Sequence, residues 1–154
     1  MTKEEALDLL RNNVAQFVEL RKNYKERLDL HGVDLSRTNL KGADLRGTDF
    51  NGANFQGANL NDANLGGSDV QNADFRGADL TNINFHHSKI QGTDMRGAKV
   101  TPNTAMGRFC VNLASFDKVR WDKSFLEGVL AILNQNKDWQ IEYKLSPKTT
   151  SHQK

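Results

Sequence analysis

Three kinds of side chain in this sequence have the chemistry of a functional site. His86 and His87 are neighbouring imidazoles, and such a pair can hold a metal ion when both rings converge. Cys110 is the single thiol, and a nucleophilic role would require a base placed beside it. Aspartate recurs through the middle of the chain, where paired carboxylates could serve acid–base catalysis.

Each of these residues also has a structural explanation. His86 and His87 fall near a turn, so we expect their side chains to splay apart rather than share a metal. We expect Cys110 to be a buried spacer, because no base is indicated for it. No Ser/His/Asp set, phosphate-binding loop or zinc-ligand spacing stands out. The sequence therefore predicts no catalytic residue, no cofactor and no metal site.

The aspartates recur because the chain repeats a five-residue pattern. Fifteen units follow one another in phase from Leu28 to Pro102: LDLHG, VDLSR, TNLKG, ADLRG, TDFNG, ANFQG, ANLND, ANLGG, SDVQN, ADFRG, ADLTN, INFHH, SKIQG, TDMRG and AKVTP. The second position is Asp eight times and Asn five times, and the fifth is Gly nine times. Because the repeat explains the aspartates by their position, we interpret them as structural residues.

A period of five residues fits neither a helix nor a straight strand. If the chain turns a corner in every unit, however, each third-position side chain can point into one shared interior. Gly, Asn and Asp at the corner supply the backbone conformations that tight turns need. The third position is apolar in all fifteen units, which predicts the following core: Leu30, Leu35, Leu40, Leu45, Phe50, Phe55, Leu60, Leu65, Val70, Phe75, Leu80, Phe85, Ile90, Met95 and Val100.

These units resemble those of the pentapeptide repeat proteins, whose consensus is A-(D/N)-L-x-x. The resemblance implies an all-β solenoid with helical caps, in which a right-handed quadrilateral β-helix places four units on each turn and forms about four coils. It also implies that the small first-position residue faces inward together with the third. In this register Leu35, Phe55, Phe75 and Met95 lie on one wall.

Atypical segments flank the repeat, as is typical of the capped ends of solenoids. We expect a single domain with a capping helix in 1–27, the β-helix in 28–102, a C-terminal cap in 103–147 and a disordered tail in 148–154. One N-terminal helix is predicted over Thr2–Lys22, because apolar residues recur there at helical spacing. Thr2 and Glu5 have the spacing of a capping box at its start. We expect this helix to cover the first coil.

The C-terminal segment predicts a helix followed by a strand. The helix is expected to begin after Asp122 or Ser124 and to end at about Asn136. In the strand, alternate positions are apolar: Trp139, Ile141, Tyr143 and Leu145. This strand either caps the last coil or docks a partner or a second copy of the chain. The resemblance supports a homodimer, since several pentapeptide repeat proteins dimerise end to end through C-terminal segments.

Charge separates the possible functions. The best understood pentapeptide repeat proteins inhibit or protect DNA gyrase by resembling B-form DNA, which requires an extended acidic surface. This chain has a net charge of +2, and its repeat carries nine Asp against seven Lys and Arg. The basic residues are scattered, so we expect no direct nucleic-acid binding. Without a membrane-length apolar run or a signal-peptide pattern, we expect no membrane association and a cytoplasmic location.

The sequence therefore predicts a non-catalytic solenoid that acts as a protein–protein interaction or regulatory scaffold. Its protein partner is not identified by any motif. The alternative is a DNA-mimicking inhibitor or protector of DNA gyrase, which the resemblance implies and the charge argues against.

Overall fold

The computed structural model describes residues 1–100 and 119–133. Two helices come first, α1 over Lys3–Asn12 and α2 over Val14–Asn23, and a third, α3, spans Lys123–Leu133. Between α2 and residue 100 the chain forms a parallel β-solenoid that advances one coil every twenty residues. The second residue of each unit forms a parallel bridge with the second residue four units later, beginning with Asp29–Asp49 and continuing to Asp79–Lys99. Each side of the coil therefore contains one unit, which makes the coil four-sided.

The turn at the end of each unit explains why the chain coils. Thirteen of the first-position residues donate their N–H to the carbonyl of the third-position residue before them, as Ala53 does to Phe50 at 2.9 Å. The residue at the fifth position has positive φ, as in a type II turn. Nine of these residues are glycines, and the others are Arg37, Asp62, Asn72, Asn82 and His87, with φ of 56–60°. Positive φ explains why Gly and Asn dominate the fifth position.

The interior of the coil holds the apolar third-position side chains. Fourteen of the fifteen are buried, and Val100 in the last unit is half-buried. Phe55 and Phe75, one coil apart, stack at 4.9 Å with nearly parallel rings. Small first-position residues such as Ala53 and Ala73 are buried beside them, which leaves room for the rings. Burial of each large side chain stabilises the coil by about 1.5–3 kcal/mol.

The N-terminal segment forms two helices, so the prediction of one continuous helix over Thr2–Lys22 is wrong. The break lies at Asn13, whose φ of −153° and ψ of 71° are not helical. The Asn13 side chain instead accepts a hydrogen bond from the Gln16 N–H and caps α2. Asparagine favours such caps over helix interiors because its side chain can replace a backbone partner. The Thr2–Glu5 capping box is present at the start of α1.

The two helices pack on the first coil as a lid. Ala6, Leu10 and Phe17 are fully buried and belong to the same apolar cluster as the coil interior. Around this centre, cations of the helices donate to backbone carbonyls of the first coil. The bonds are Lys3 Nζ to His31 O at 2.7 Å, Arg11 Nη2 to Asp34 O at 2.6 Å, and Arg21 Nη2 to Arg46 O.

These carbonyls are the ones that no preceding coil can satisfy. In later coils the carbonyls of the second and fourth positions accept N–H groups from the coil before, as Asp49 O does from Leu30 at 2.8 Å. The first coil has no such predecessor, so its second- and fourth-position carbonyls point out of the N-terminal end. The cations of the lid supply the donors that this end of the solenoid lacks.

Beyond the repeat, the chain returns to the coil at Arg120. Its backbone forms a parallel bridge with Asp94, donates to Thr93 O at 2.7 Å and accepts from Met95 N at 2.6 Å. Arg120 thus occupies the place of a second-position residue in the next coil. This additional bridge could not be predicted from the repeat, because residues 119–121 lie outside its phase.

Asp122 then joins the last coil to α3. Its Oδ2 accepts the Gly97 N–H at 2.5 Å, and its Oδ1 accepts the Phe125 N–H at 2.9 Å. The first bond satisfies the last coil and the second caps α3, as expected for Asp122 from the sequence. Phe125 is fully buried. Other predictions lie outside the described residues: Cys110, the end of the helix at Asn136, the strand over Trp139–Leu145 and the tail 148–154.

Candidate functional site

The second-position Asp and Asn residues hold the turns of the coil. In every one of the thirteen units with Asp or Asn at this position, the side-chain Oδ1 accepts the backbone N–H two residues later, as Asp34 does from Ser36 at 3.0 Å. Asp and Asn reach this N–H with one short side chain. The recurring carboxylates therefore carry out a structural role.

The same residues form columns along the outside of the coil. Asn59 donates to Asn39 and Asn84 to Asn64, each at 3.0 Å and one coil apart. The two lysines that interrupt the second-position pattern also lie in these columns. Their ammonium groups contact the carboxylate of the preceding coil, in the pairs Lys89–Asp69 at 3.2 Å and Lys99–Asp79 at 3.0 Å. Adjacent coils are thus linked by side chains as well as by their backbones.

Charge along the walls is locally balanced. The longest acidic column consists of Asp29, Asp49 and Asp69. Arg27 contacts Asp49 at 2.9 Å, and Lys89 contacts Asp69 at its other end. A wall built in this way presents alternating charges instead of one continuous negative field.

Three arginines at the fourth position form paired hydrogen bonds with the aspartate two residues earlier. The pairs are Arg46–Asp44, Arg76–Asp74 and Arg96–Asp94, and in each the Nε and Nη2 groups donate to the carboxylate. These hydrogen bonds are the main reason why the pKa of each of the three carboxyl groups lies below its usual value. The arginines are thereby held in one orientation on the surface.

His86 and His87 do not splay apart, so that expectation is wrong. Their ring centroids lie 3.9 Å apart with the planes at 73°. The expectation assumed neighbouring side chains on opposite faces, whereas His87 has a φ of 60° and the chain turns at this corner. Both residues are exposed. Within residues 1–100 and 119–133, no group of three or more His, Cys, Asp or Glu side chains could hold a metal ion.

Two surface cavities lie beside the N-terminal helices. The larger, of about 570 Å³, has apolar Leu9 and Leu20 in its lining together with Glu5 and Asp8. The smaller, of about 310 Å³, lies between the end of α2 and the first coil and is lined mainly by basic residues. No helix in the described part of the chain has the length and hydrophobicity needed to cross a membrane.

The structure reveals contacts that the sequence did not predict. Three cations of the lid, Lys3, Arg11 and Arg21, contact the coil backbone. The only available signal was their presence on a helix beside an uncapped end. The predicted partner surface at Trp139, Ile141, Tyr143 and Leu145 is outside the described residues.

Several solved structures are similar to this chain. QnrB1, a plasmid-mediated fluoroquinolone resistance protein, is 34% identical over 44% of this chain and 37% of its own length, with a TM-score of 0.42. HetL of the cyanobacterium Nostoc sp. strain PCC 7120, described as involved in heterocyst differentiation regulation, is 24% identical over 60% of this chain and 35% of its own, with a TM-score of 0.37. A pentapeptide repeat protein of the Arabidopsis thaliana thylakoid lumen is 31% identical over 60% of both chains, with a TM-score of 0.28.

The chain thus spans less than two thirds of the length of each of these three proteins. Among curated proteins, no sequence matches it significantly. A family model described as pentapeptide repeats (8 copies) matches the chain twice, over residues 29–67 and 63–101. Proteins of this family fold as right-handed quadrilateral β-helices, and the four-sided parallel coil observed here has the same arrangement of units. Residues 29–101 of this chain are therefore pentapeptide repeats of this family.

Proposed function

We propose that this chain is a non-catalytic scaffold that binds another protein. The proposal rests on one observation: all thirteen second-position Asp and Asn side chains accept a backbone N–H of their own turn. Groups held in this way are poorly suited to shuttle protons or bind substrates. They do give the walls a rigid surface, which can bind a partner with little loss of conformational entropy.

The DNA-mimicking alternative is less compatible with the charges on the walls. Competition for a DNA-binding groove requires a continuous negative field. Here Arg27 and Lys89 contact the longest acidic column, and Lys99 contacts Asp79 on another wall. These pairs, together with the net charge of +2, favour a partner that recognises a mixed-charge surface.

The C-terminal segment is the second part of the proposal. We expect Trp139, Ile141, Tyr143 and Leu145 to form one face of a strand that pairs with a partner or a second copy of the chain. An unpaired strand with four large apolar residues would be an exposed edge, which proteins generally cover.

Affinity capture from native lysate tests both parts. The full-length chain is compared with a variant that ends at Asp138, after both have been shown to melt cooperatively. A specific partner that binds full-length protein and is lost on truncation would place the contact in the C-terminal strand. A partner held by both proteins would place it on the coil or the N-terminal lid. Failure of both proteins to bind any partner would contradict the scaffold function.

A further inference from the structure

Three arginines surround one carboxylate near the C-terminal end of the coil. The Oδ2 atom of Asp94 lies 2.6 Å from Arg96 Nη2, 3.5 Å from Arg120 Nη1 and 4.0 Å from Arg76 Nε. Arg76 and Arg96 occupy equivalent positions in adjacent coils, and Arg120 comes from the additional bridge beyond the repeat. Sequence segments separated by more than forty residues thus build one cationic cluster on a single wall.

The cluster is exposed although two of its arginines, Arg76 and Arg96, are held by hydrogen bonds to aspartates. The side chains of Arg76, Arg96 and Arg120 retain 45%, 39% and 61% of their accessible surface, whereas Asp94 retains 13%. Asp94 is itself fixed by the N–H of Arg96. The carboxylate therefore acts as an inner anchor, and the guanidinium groups form the outer surface.

Charge and hydrophobicity at this location suit an acidic protein. The three arginines outnumber Asp74 and Asp94, which leaves an excess of one positive charge on the cluster. Trp121 follows Arg120 directly and is 38% exposed, one of the few exposed large apolar residues of the described chain. Arginine and tryptophan contribute disproportionately to binding energy at protein interfaces.

We propose that Arg76, Arg96, Arg120 and Trp121, here called the arginine–tryptophan patch, bind an acidic helical segment of a partner protein. The proposal rests on the scaffold function and names the chemistry of the partner. Equivalent residues in adjacent coils lie roughly 4.8 Å apart. The Cβ atoms of residues i and i+4 of a helix lie about 5–6 Å apart, which is close to this spacing, so two carboxylates at these positions can meet the arginines while a neighbouring apolar residue contacts Trp121.

Fluorescence anisotropy with a defined peptide tests the patch. The probe is a labelled helical peptide with Glu at i and i+4 and one neighbouring Leu, together with a Gln-for-Glu version of the same peptide. The triple variant Arg76→Gln, Arg96→Gln, Arg120→Gln is expected to bind the acidic peptide at least about tenfold more weakly than the unaltered chain. The Gln peptide is expected to bind weakly to both proteins.

A charge-matched control removes three exposed cations elsewhere, Lys25→Gln, Arg37→Gln and Lys41→Gln. It is expected to bind the acidic peptide within about twofold of the unaltered chain. Equal weakening by the two triple variants would show unspecific charge attraction and overturn the proposal. So would failure of the unaltered chain to bind the peptide, or tighter binding of a single-stranded oligonucleotide to the same arginines.

Two further measurements keep the proposal separate from folding and from the scaffold function. If the triple variant melts early, Arg120→Gln alone is used, since the Arg120 backbone bridge does not require its side chain; peptide binding unchanged by this substitution would then contradict the patch. In the lysate experiment, a partner retained by a well-folded arginine variant would overturn the patch and leave the scaffold function standing.

Discussion

The two ends of the solenoid expose opposite excesses of backbone donors and acceptors, and side chains of opposite charge cover them. At the N-terminal end, carbonyls point outward and receive Lys3, Arg11 and Arg21. At the C-terminal end, N–H groups point outward, and Gly97 donates to the carboxylate of Asp122. The third- and fifth-position N–H groups donate to the following coil, whereas only the second-position N–H donates to the preceding coil. The first coil is therefore left with an excess of outward carbonyls and the last coil with an excess of outward N–H groups.

The difference shows that apolar burial and polar capping are separate requirements. Both ends bury a phenylalanine, Phe17 at one and Phe125 at the other, so the apolar part of the lids is similar. What differs is the sign of the charge needed at the rim. A cap exchanged between the ends would bury its apolar side chain correctly and still present the wrong polar groups.

The largest loss of stability is expected from a substitution in the middle of the coil, because both ends of the solenoid pack on it. Phe75→Asp places a carboxylate in the apolar interior beside Phe55 and should destabilise the fold by more than about 4 kcal/mol. Asp74→Ala, on the neighbouring outer position, removes one turn contact and the Arg76 pair and should cost far less. Thermal melting measures both, and equal losses would contradict the inside and outside assignments.

Truncation of the buried phenylalanines should open the two ends separately. Phe17→Ala and Phe125→Ala are each expected to cost about 3–5 kcal/mol in the affected region. Hydrogen exchange should increase at amides of the first coil, such as Leu35, in the first variant. In the second it should increase at amides such as Met95. If both variants gave the same exchange pattern, the ends would not be independent units.

Removal of a polar capping side chain should cause a smaller loss of stability than removal of a buried phenylalanine, and the loss should differ between the acidic and the basic cap. Asp122→Ala removes the acceptor for both Gly97 and Phe125 and should cost about 1–2 kcal/mol. Asp122→Asn keeps one side-chain oxygen, so its stability should lie between those of the unaltered chain and Asp122→Ala. Arg11→Met at the other end should cost under about 1 kcal/mol, since Arg11 is exposed and water can replace it. Urea unfolding of these variants, with Lys41→Met as a control, measures the order of their free energies of unfolding.

Acid should produce the smallest effect and should act on both ends of the coil. The pKa of the Asp94 carboxyl is lowered, chiefly by its hydrogen bonds from Arg96, so this group stabilises the fold above its unfolded pKa of about 3.9. That contribution is lost as the pH falls through the lower folded pKa. The pKa values of the Asp34 and Asp44 carboxyls in the first coil are also lowered, chiefly by hydrogen bonds from Ser36 and Arg46, so acid should weaken both ends. NMR amide signals near Met95 and near Leu35 should therefore both broaden between pH 4 and pH 2; broadening confined to one end would contradict this account.

The period of the sequence predicted the coil because period and turn chemistry are local. Each unit carries its own inward residue and its own turn, so burial of side chains such as Phe55 follows without knowledge of the rest of the chain. The break at Asn13 was missed because the apolar spacing continues across it without Gly or Pro. The Arg120 bridge and the arginine–tryptophan patch were missed because they depend on a return of the chain over many residues.

Because one coil contains twenty residues, the number of five-residue units also determines the direction in which surfaces beyond the repeat face. One unit turns the chain by a quarter of a revolution, so the loss or gain of five residues would rotate the arginine–tryptophan patch by about 90° relative to the N-terminal lid. The loss or gain of four units would restore the angle and change only the separation, by roughly 4.8 Å. A repeat of this kind can therefore re-aim a binding surface in discrete steps while every coil keeps the same interior.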